Sequence, residues 1–73
     1  MNKEKITQYL RIICEEANVK MFKIRIGETE LGMLELCFIE KTGEFLYQIG
    51  DIFIPNKPSD ETIIKVFGSK FAK

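Results

Sequence analysis

The stretch that most restricts the fold of this 73-residue chain is LCFIEKTGEFLYQI, at positions 36–49. Two apolar runs, each with large side chains at consecutive positions, flank a polar turn that ends in Gly43. Successive side chains of a β-strand point to opposite faces of a sheet. A hairpin built from these runs is therefore apolar on both faces, and a short chain has few elements with which to cover them.

The chain is predicted to be a single small domain, residues 1–73. A domain of this size buries only about 60–65% of the surface of its unfolded chain, and association with a partner is a common way to bury more. Eleven basic and eleven acidic residues leave no net charge, which disfavours general binding to nucleic acids or anionic membranes. With no long apolar stretch and no secretory signal, a cytoplasmic protein without membrane association is predicted.

An amphipathic helix is predicted over residues 2–18, because apolar residues recur there at helical spacing. The residues of this stripe are Ile6, Leu10, Ile13 and Ala17. Asn2 suits the N-cap, and Asn18 suits a left-handed C-terminal stop.

Three strands are predicted next, over residues 19–27, 31–40 and 44–54, with Gly43 at a positive φ in the second turn. The fold class is therefore α+β: an N-terminal helix followed by a three-stranded antiparallel meander.

The C-terminal segment has two interpretations. Ser59 and the acidic residues after it suit a helix start, and Gly68 suits a stop, which favours a short helix over residues 60–67. The β-branched run TIIKVF would also suit a strand. A helix within residues 59–71 could cover the second sheet face, and a partner chain could do so instead.

The alternation in the first strand sets the expected register, in which Ile24 pairs with Leu34 and Lys23 pairs with Glu35. This register gathers a face without charged residues against which the first helix is expected to pack. That face comprises Phe22, Ile24, Ile26, Leu34, Leu36, Phe38 and Leu46.

The second face is then expected to carry a connected apolar cluster, which is unusual on the surface of a monomer. The predicted interface residues are Cys37, Ile39, Phe45, Tyr47 and Ile49. We therefore expect a homodimer formed through this sheet face or through an edge strand, or binding to another protein partner.

Catalysis is not predicted. Histidine is absent, and Cys14 and Cys37 fall at apolar positions, where reduced buried thiols are expected. The acidic residues fall in turns and caps, and no glycine-rich phosphate loop is present. No catalytic residue, metal site or cofactor is predicted, and a non-enzymatic interaction module is the expected function.

Nucleic-acid binding is the alternative function. Lys20, Lys23 and Arg25, with Phe22 and Tyr47 nearby, could form a basic and aromatic sheet surface. Acidic residues interleave with these cations, however, so scattered solvated charges are the preferred interpretation.

The order of elements and the stretch MLELCFIEKTGEFLYQIGDIF resemble the Yopt family, small Bacillus prophage-type proteins with no assigned biochemical function. This resemblance implies a homodimer whose monomer has one helix and three strands. It implies no catalytic residues.

Overall fold

The computed structural model describes residues 2–71, which form two helices and a four-stranded sheet. The elements are α1 (Lys3–Ala17), β1 (Met21–Thr29), β2 (Gly32–Ile39), β3 (Glu44–Ile49), β4 (Ile52–Ile54) and α2 (Asp60–Phe71). The strands form an antiparallel meander in chain order. The α+β prediction is confirmed, but the predicted third strand is two strands, because Gly50 turns the chain at φ 57°.

Helix α1 begins and ends at the residues that the sequence predicts. The side-chain oxygen of Asn2 accepts a hydrogen bond of 2.9 Å from the Lys5 backbone N–H. Asn18 adopts the left-handed conformation at φ 55°, so its N–H donates back to the Glu15 carbonyl. These bonds satisfy backbone groups that every helix end leaves without partners.

Helix α2 extends past Gly68, so the predicted stop at this residue is wrong. Ile63 and Phe67 are buried, and Phe71 packs against the Tyr9 ring at 5.9 Å one turn after Gly68. Glycine inside a helix costs about 1 kcal/mol relative to alanine, which apolar contacts on both sides of it offset.

The β1–β2 register differs from the prediction by two residues. Ile24 pairs with Leu36 and not with Leu34. Two features set this register. In the tight turn, Thr29 pairs with Gly32 and donates a side-chain hydrogen bond of 2.7 Å to its carbonyl, and this turn alone would move the pairing by three residues. The bulge at Ile26 moves the pairing back by one residue. A shift of two residues leaves every side chain on its expected face.

The β3 side chains lie on the faces opposite to those predicted. Phe45 pairs with Phe38 and therefore faces the helices, whereas Leu46 pairs with Cys37 and faces away. The four-residue turn at positions 40–43, closed by a 2.8 Å hydrogen bond from the Gly43 N–H to the Ile39 carbonyl, sets this register. Changing the register by one residue reverses the faces of the whole strand.

Both helices pack on the same face of the sheet. The core residues are Ile6, Leu10, Cys14, Leu36, Phe38, Phe45, Ile63 and Phe67. The Phe45 and Phe67 rings are 5.5 Å apart, which places α2 beside α1 over the sheet. Helix α2 thus does not cover the second face, and no described element packs there.

Candidate interaction surface

The sheet face opposite the two helices is called the open face below. Its side chains follow from the strand registers, because directly paired residues lie on the same face. They are Met21, Lys23, Arg25, Glu28, Met33, Glu35, Cys37, Ile39, Glu44, Leu46, Gln48 and Phe53.

Cys37 lies at the centre of the open face and is 0% exposed. It pairs with Lys23 on one side and with Leu46 on the other. The predicted partner of Lys23 was Glu35. Its thiol donates a 3.4 Å hydrogen bond to the buried Gln48 side chain. Neighbouring side chains in a single layer therefore keep the centre of the open face dry.

This environment makes Cys37 unreactive. Burial raises the pKa of its thiol, and the Glu35 carboxylate raises it further, while Lys23 acts in the opposite direction. The thiolate is the nucleophilic form of cysteine, so a thiol held neutral is poorly suited to catalysis. Cys37 contributes packing to the open face.

Four further apolar side chains lie on the open face, with Ile39 and Leu46 next to Cys37 and with Met33 and Phe53 farther from it. Met33, Ile39 and Leu46 are half-buried, and Phe53 at the β4 end is 46% exposed. An aromatic ring and thioethers at the surface are typical of protein interfaces.

Charged groups of both signs lie on the open face. The cations Lys23 and Arg25 lie on edge strand β1 together with the acid Glu28, and the acids Glu35 and Glu44 lie on β2 and β3. A hydrogen bond from Lys57, 3.0 Å long, holds the pKa of the Glu44 carboxyl below its ordinary value. Both signs of charge therefore flank the apolar centre.

The structure divides the predicted interface set. Cys37 and Ile39 lie on the open face, but Phe45 is 5% exposed within the core and Tyr47 packs against that core. Ile49 pairs with Leu34 on the helix-covered side. The placement of these three residues on one face with Cys37 is wrong because of the β3 register.

Sequence reasoning missed Leu46 as an open-face residue. The signal for Leu46 was the number of residues in the β2–β3 turn, which sets the faces of β3. Phe53 also lies on the open face, because Gly50 turns the chain and starts a fourth strand in which Phe53 pairs with Gln48.

The predicted nucleic-acid residues are only partly brought together. Lys23 and Arg25 share the open face, and Lys20 is exposed just before β1. Phe22 and Tyr47, the proposed base-stacking side chains, pack on the helix-covered side. The basic surface therefore lacks the two aromatic rings that the sequence placed beside it.

The free edge of β1 is a poor site for pairing with a second copy. A bulge at Ile26 interrupts its regular hydrogen-bonding pattern, because the register shifts between Arg25 and Gly27. Antiparallel self-pairing centred on Ile24 would also set Lys23 opposite Arg25 of the second copy. Like charges directly opposite each other are destabilising.

A second apolar surface lies on the helix-covered side, as an open groove of about 280 Å³. It is lined by Ile26, Leu34, Tyr47, Ile54, Asn56, Thr62 and Val66. Tyr47 and Thr62 contribute hydroxyl groups to this groove, and no carboxylate, amine or thiol lines it.

Within residues 2–71, no three acidic, cysteine or histidine side chains are grouped closely enough to hold a metal ion. None of the helices in this range is long and apolar enough to cross a membrane. Comparisons with family models, curated proteins and solved structures find no match.

Proposed function

We propose that the protein is a non-enzymatic interaction module that forms a homodimer through its open face. The main support is that both helices pack on one side of a sheet whose other side carries Met33, Ile39, Leu46 and Phe53. A second copy covering this side would complete the core that a single short chain leaves half-built.

The area of the open face suits a weak dimer. Four strands spaced about 4.8 Å apart, with about 3.3 Å per residue, give a footprint of roughly 400 Å² per copy. Protruding side chains add to this, so two copies bury close to the ~1,000 Å² expected of a specific interface. Dimerisation should therefore depend on protein concentration.

The charges of the open face are compatible with a second copy. Lys23 and Arg25 lie on β1 with Glu28 further along that strand, while Glu35 and Glu44 lie on β2 and β3. A two-fold axis can therefore keep the cations of the two copies apart. Complementary charges favour the correct partner and suppress wrong ones.

We also propose that the protein is cytoplasmic and of prophage origin. Cys14 and Cys37 are free, buried thiols, which suits a reducing compartment. The homodimer implied by the Yopt resemblance agrees with the proposed assembly, although this structure has a second helix and a fourth strand.

Light scattering behind a sizing column tests the proposal with two matched variants. Leu46→Glu places a charge at the centre of the proposed interface, and it should raise the dimer dissociation constant at least 100-fold. Leu31→Glu makes the same chemical change at a hairpin tip that is 83% exposed, and it should leave the dimer intact.

A mass near 8.5 kDa for the unaltered chain at millimolar concentration would contradict the proposal. Equal loss of the dimer in both variants would also contradict it, because the effect would then not be specific to the open face. Circular dichroism of each variant checks that the fold is retained.

Nucleic-acid binding stays the alternative, supported by Lys23 and Arg25, which share the open face with the exposed ring of Phe53 at its opposite edge. Filter binding of single-stranded DNA distinguishes the two functions. Affinity that falls steeply with salt, and is lost in a Lys23→Glu variant, would favour this alternative.

A further inference from the structure

We infer that the two-fold axis of this homodimer runs parallel to the strands, between β2 and β3. Strand β1 of one copy then lies over β4 of the other, and Arg25 stacks on Phe53 of the partner subunit. This inference rests on the proposed function and adds to it the orientation of the two copies and their main specific contact.

The first step is the row of side chains that crosses all four strands. Arg25 pairs with Glu35, Glu35 pairs with Gln48, and Gln48 pairs with Phe53. The row thus has an exposed cation at one end and an exposed aromatic ring at the other. A two-fold axis through its middle brings each cation over a ring of the other copy, the geometry of a cation–π contact.

The second step concerns the centre of the interface. The same axis places Glu35 over Gln48 of the partner subunit and Cys37 over Leu46 of the partner subunit. The first pair is a carboxylate facing an amide that can donate to it, and the second is an apolar contact. No like charges meet in these two rows.

The third step compares other axes. An axis perpendicular to the strands places β1 over β1 and β4 over β4, so no cation lies over Phe53. Where such an axis crosses β1 between Lys23 and Arg25, it brings four cations together, and only a crossing between Arg25 and Glu28 would pair opposite charges. An axis directly above β2 places Glu35 over Glu35 of the partner subunit, and like charges are unfavourable where water is excluded. Of these axes, the one between β2 and β3 is the one that brings each exposed ring over a cation.

Cross-linking of two mixed variants, each with one added cysteine, tests the orientation. Arg25→Cys and Phe53→Cys chains are mixed and treated with a short bis-methanethiosulfonate reagent, and their different masses identify each product. The native thiols are buried and do not compete. The product that links an Arg25→Cys chain to a Phe53→Cys chain should be at least fivefold more abundant than the two self-linked products added together. Random pairing of an equimolar mixture would make these two amounts equal.

Lys20→Cys provides the control, because Lys20 is exposed but precedes β1, and it should not cross-link to Phe53→Cys. A predominance of self-linked Arg25→Cys would overturn the inferred axis while leaving the open-face dimer in place. A chain that stays monomeric in light scattering would overturn both the axis and the proposed function.

Charge reversal gives a second readout that needs no cross-link. Arg25→Glu should raise the dimer dissociation constant at least tenfold, because the substituted side chain loses its contact with Phe53 of the partner subunit. If β1 instead lay over β1, the same change would place an acid among cations and tighten the dimer. Tighter association would therefore overturn the inferred axis.

Discussion

The two faces of the sheet use the same strands but reach burial in different ways. Leu36 and Cys37 are neighbours on β2, point to opposite faces and are both 0% exposed. Leu36 is covered by helices, in a core where aromatic rings such as Phe38 and Phe45 meet at 5.2 Å. Cys37 is covered only by the side chains around it in one layer.

This difference shows that a buried residue does not by itself prove a second layer. On the helix-covered face, Leu36, Phe38 and Phe45 are buried under the helices, whereas on the open face burial is greatest at Cys37 and Gln48. The residues around them, including Phe53 and Met33, stay partly accessible.

The largest expected effect compares two phenylalanines on opposite faces. Phe38→Ala removes a fully buried ring of the core, and it should lower the free energy of unfolding by about 3–5 kcal/mol. Phe53→Ala should change it by no more than about 0.5 kcal/mol in dilute, monomeric protein, because that ring is half-exposed. Urea denaturation at low concentration measures both. Similar losses in the two variants would contradict the comparison, because they would mean that the open face is packed like the core.

The next effect concerns the turn that sets the faces of β3. Gly43 has φ 73°, and an added Cβ would lie 2.7 Å from an Arg11 side-chain nitrogen, so Gly43→Ala should cost about 1–2 kcal/mol. Gly27→Ala is the matched control, because a Cβ there meets nothing within 4 Å. Thermal denaturation should therefore separate the two variants by several degrees, and equal melting temperatures would contradict the described turn geometry.

A smaller effect on stability is expected from the two thiols, Cys14 in the helix-covered core and Cys37 on the open face. Burial raises the pKa of Cys14, with Glu40 adding to the effect, and burial also raises the pKa of Cys37. A raised folded-state pKa stabilises the fold below the unfolded pKa, and this contribution is lost as pH rises through the folded value. Stability should therefore fall with pH from about 8.5 upward.

Replacing both cysteines with alanine should flatten this alkaline loss, as measured by denaturation between pH 7 and pH 10. The two single variants show how much each face contributes. An unchanged alkaline slope in the double variant would show that other groups cause the loss.

The smallest effect is expected at the ion pair that joins the two helices. Lys3 and Asp60 approach to 3.2 Å, but both side chains are largely in solvent. Lys3→Met should change the free energy of unfolding by less than about 0.5 kcal/mol. A larger loss in a urea titration would mean that surface charge, and not apolar packing, holds the helices on the covered face.

Local signals in the sequence predicted α1 with both caps, because Asn2 and Asn18 act on backbone groups within a few residues. They also predicted the start of α2, but its predicted stop at Gly68 was wrong.

The register was harder to predict, since it depends on turns and bulges that alternation alone does not specify. The β1–β2 turn and the bulge at Ile26 together moved the partner of Ile24 by two residues without changing its face. The β2–β3 turn set Leu46 and Tyr47 on faces opposite to those expected.

The packing position of α2 also could not be predicted from local sequence patterns. Its start at Asp60 follows from Ser59, whose hydroxyl accepts a 3.2 Å hydrogen bond from the Thr62 N–H. Its packing beside α1 depends on Phe67 meeting Phe45, a contact between residues far apart in the chain. An apolar residue pattern on a helix does not identify which sheet face it will cover.

The most direct test of the central claim is an isotope-filtered nuclear Overhauser experiment on a mixture of labelled and unlabelled chains at millimolar concentration. If a second copy covers the open face, contacts between copies should appear at the methyl groups of Met33, Ile39 and Leu46. Intermolecular contacts confined to Ile26 and Ile52, on the helix-covered side, would contradict the account. So would the absence of any such contact at this concentration.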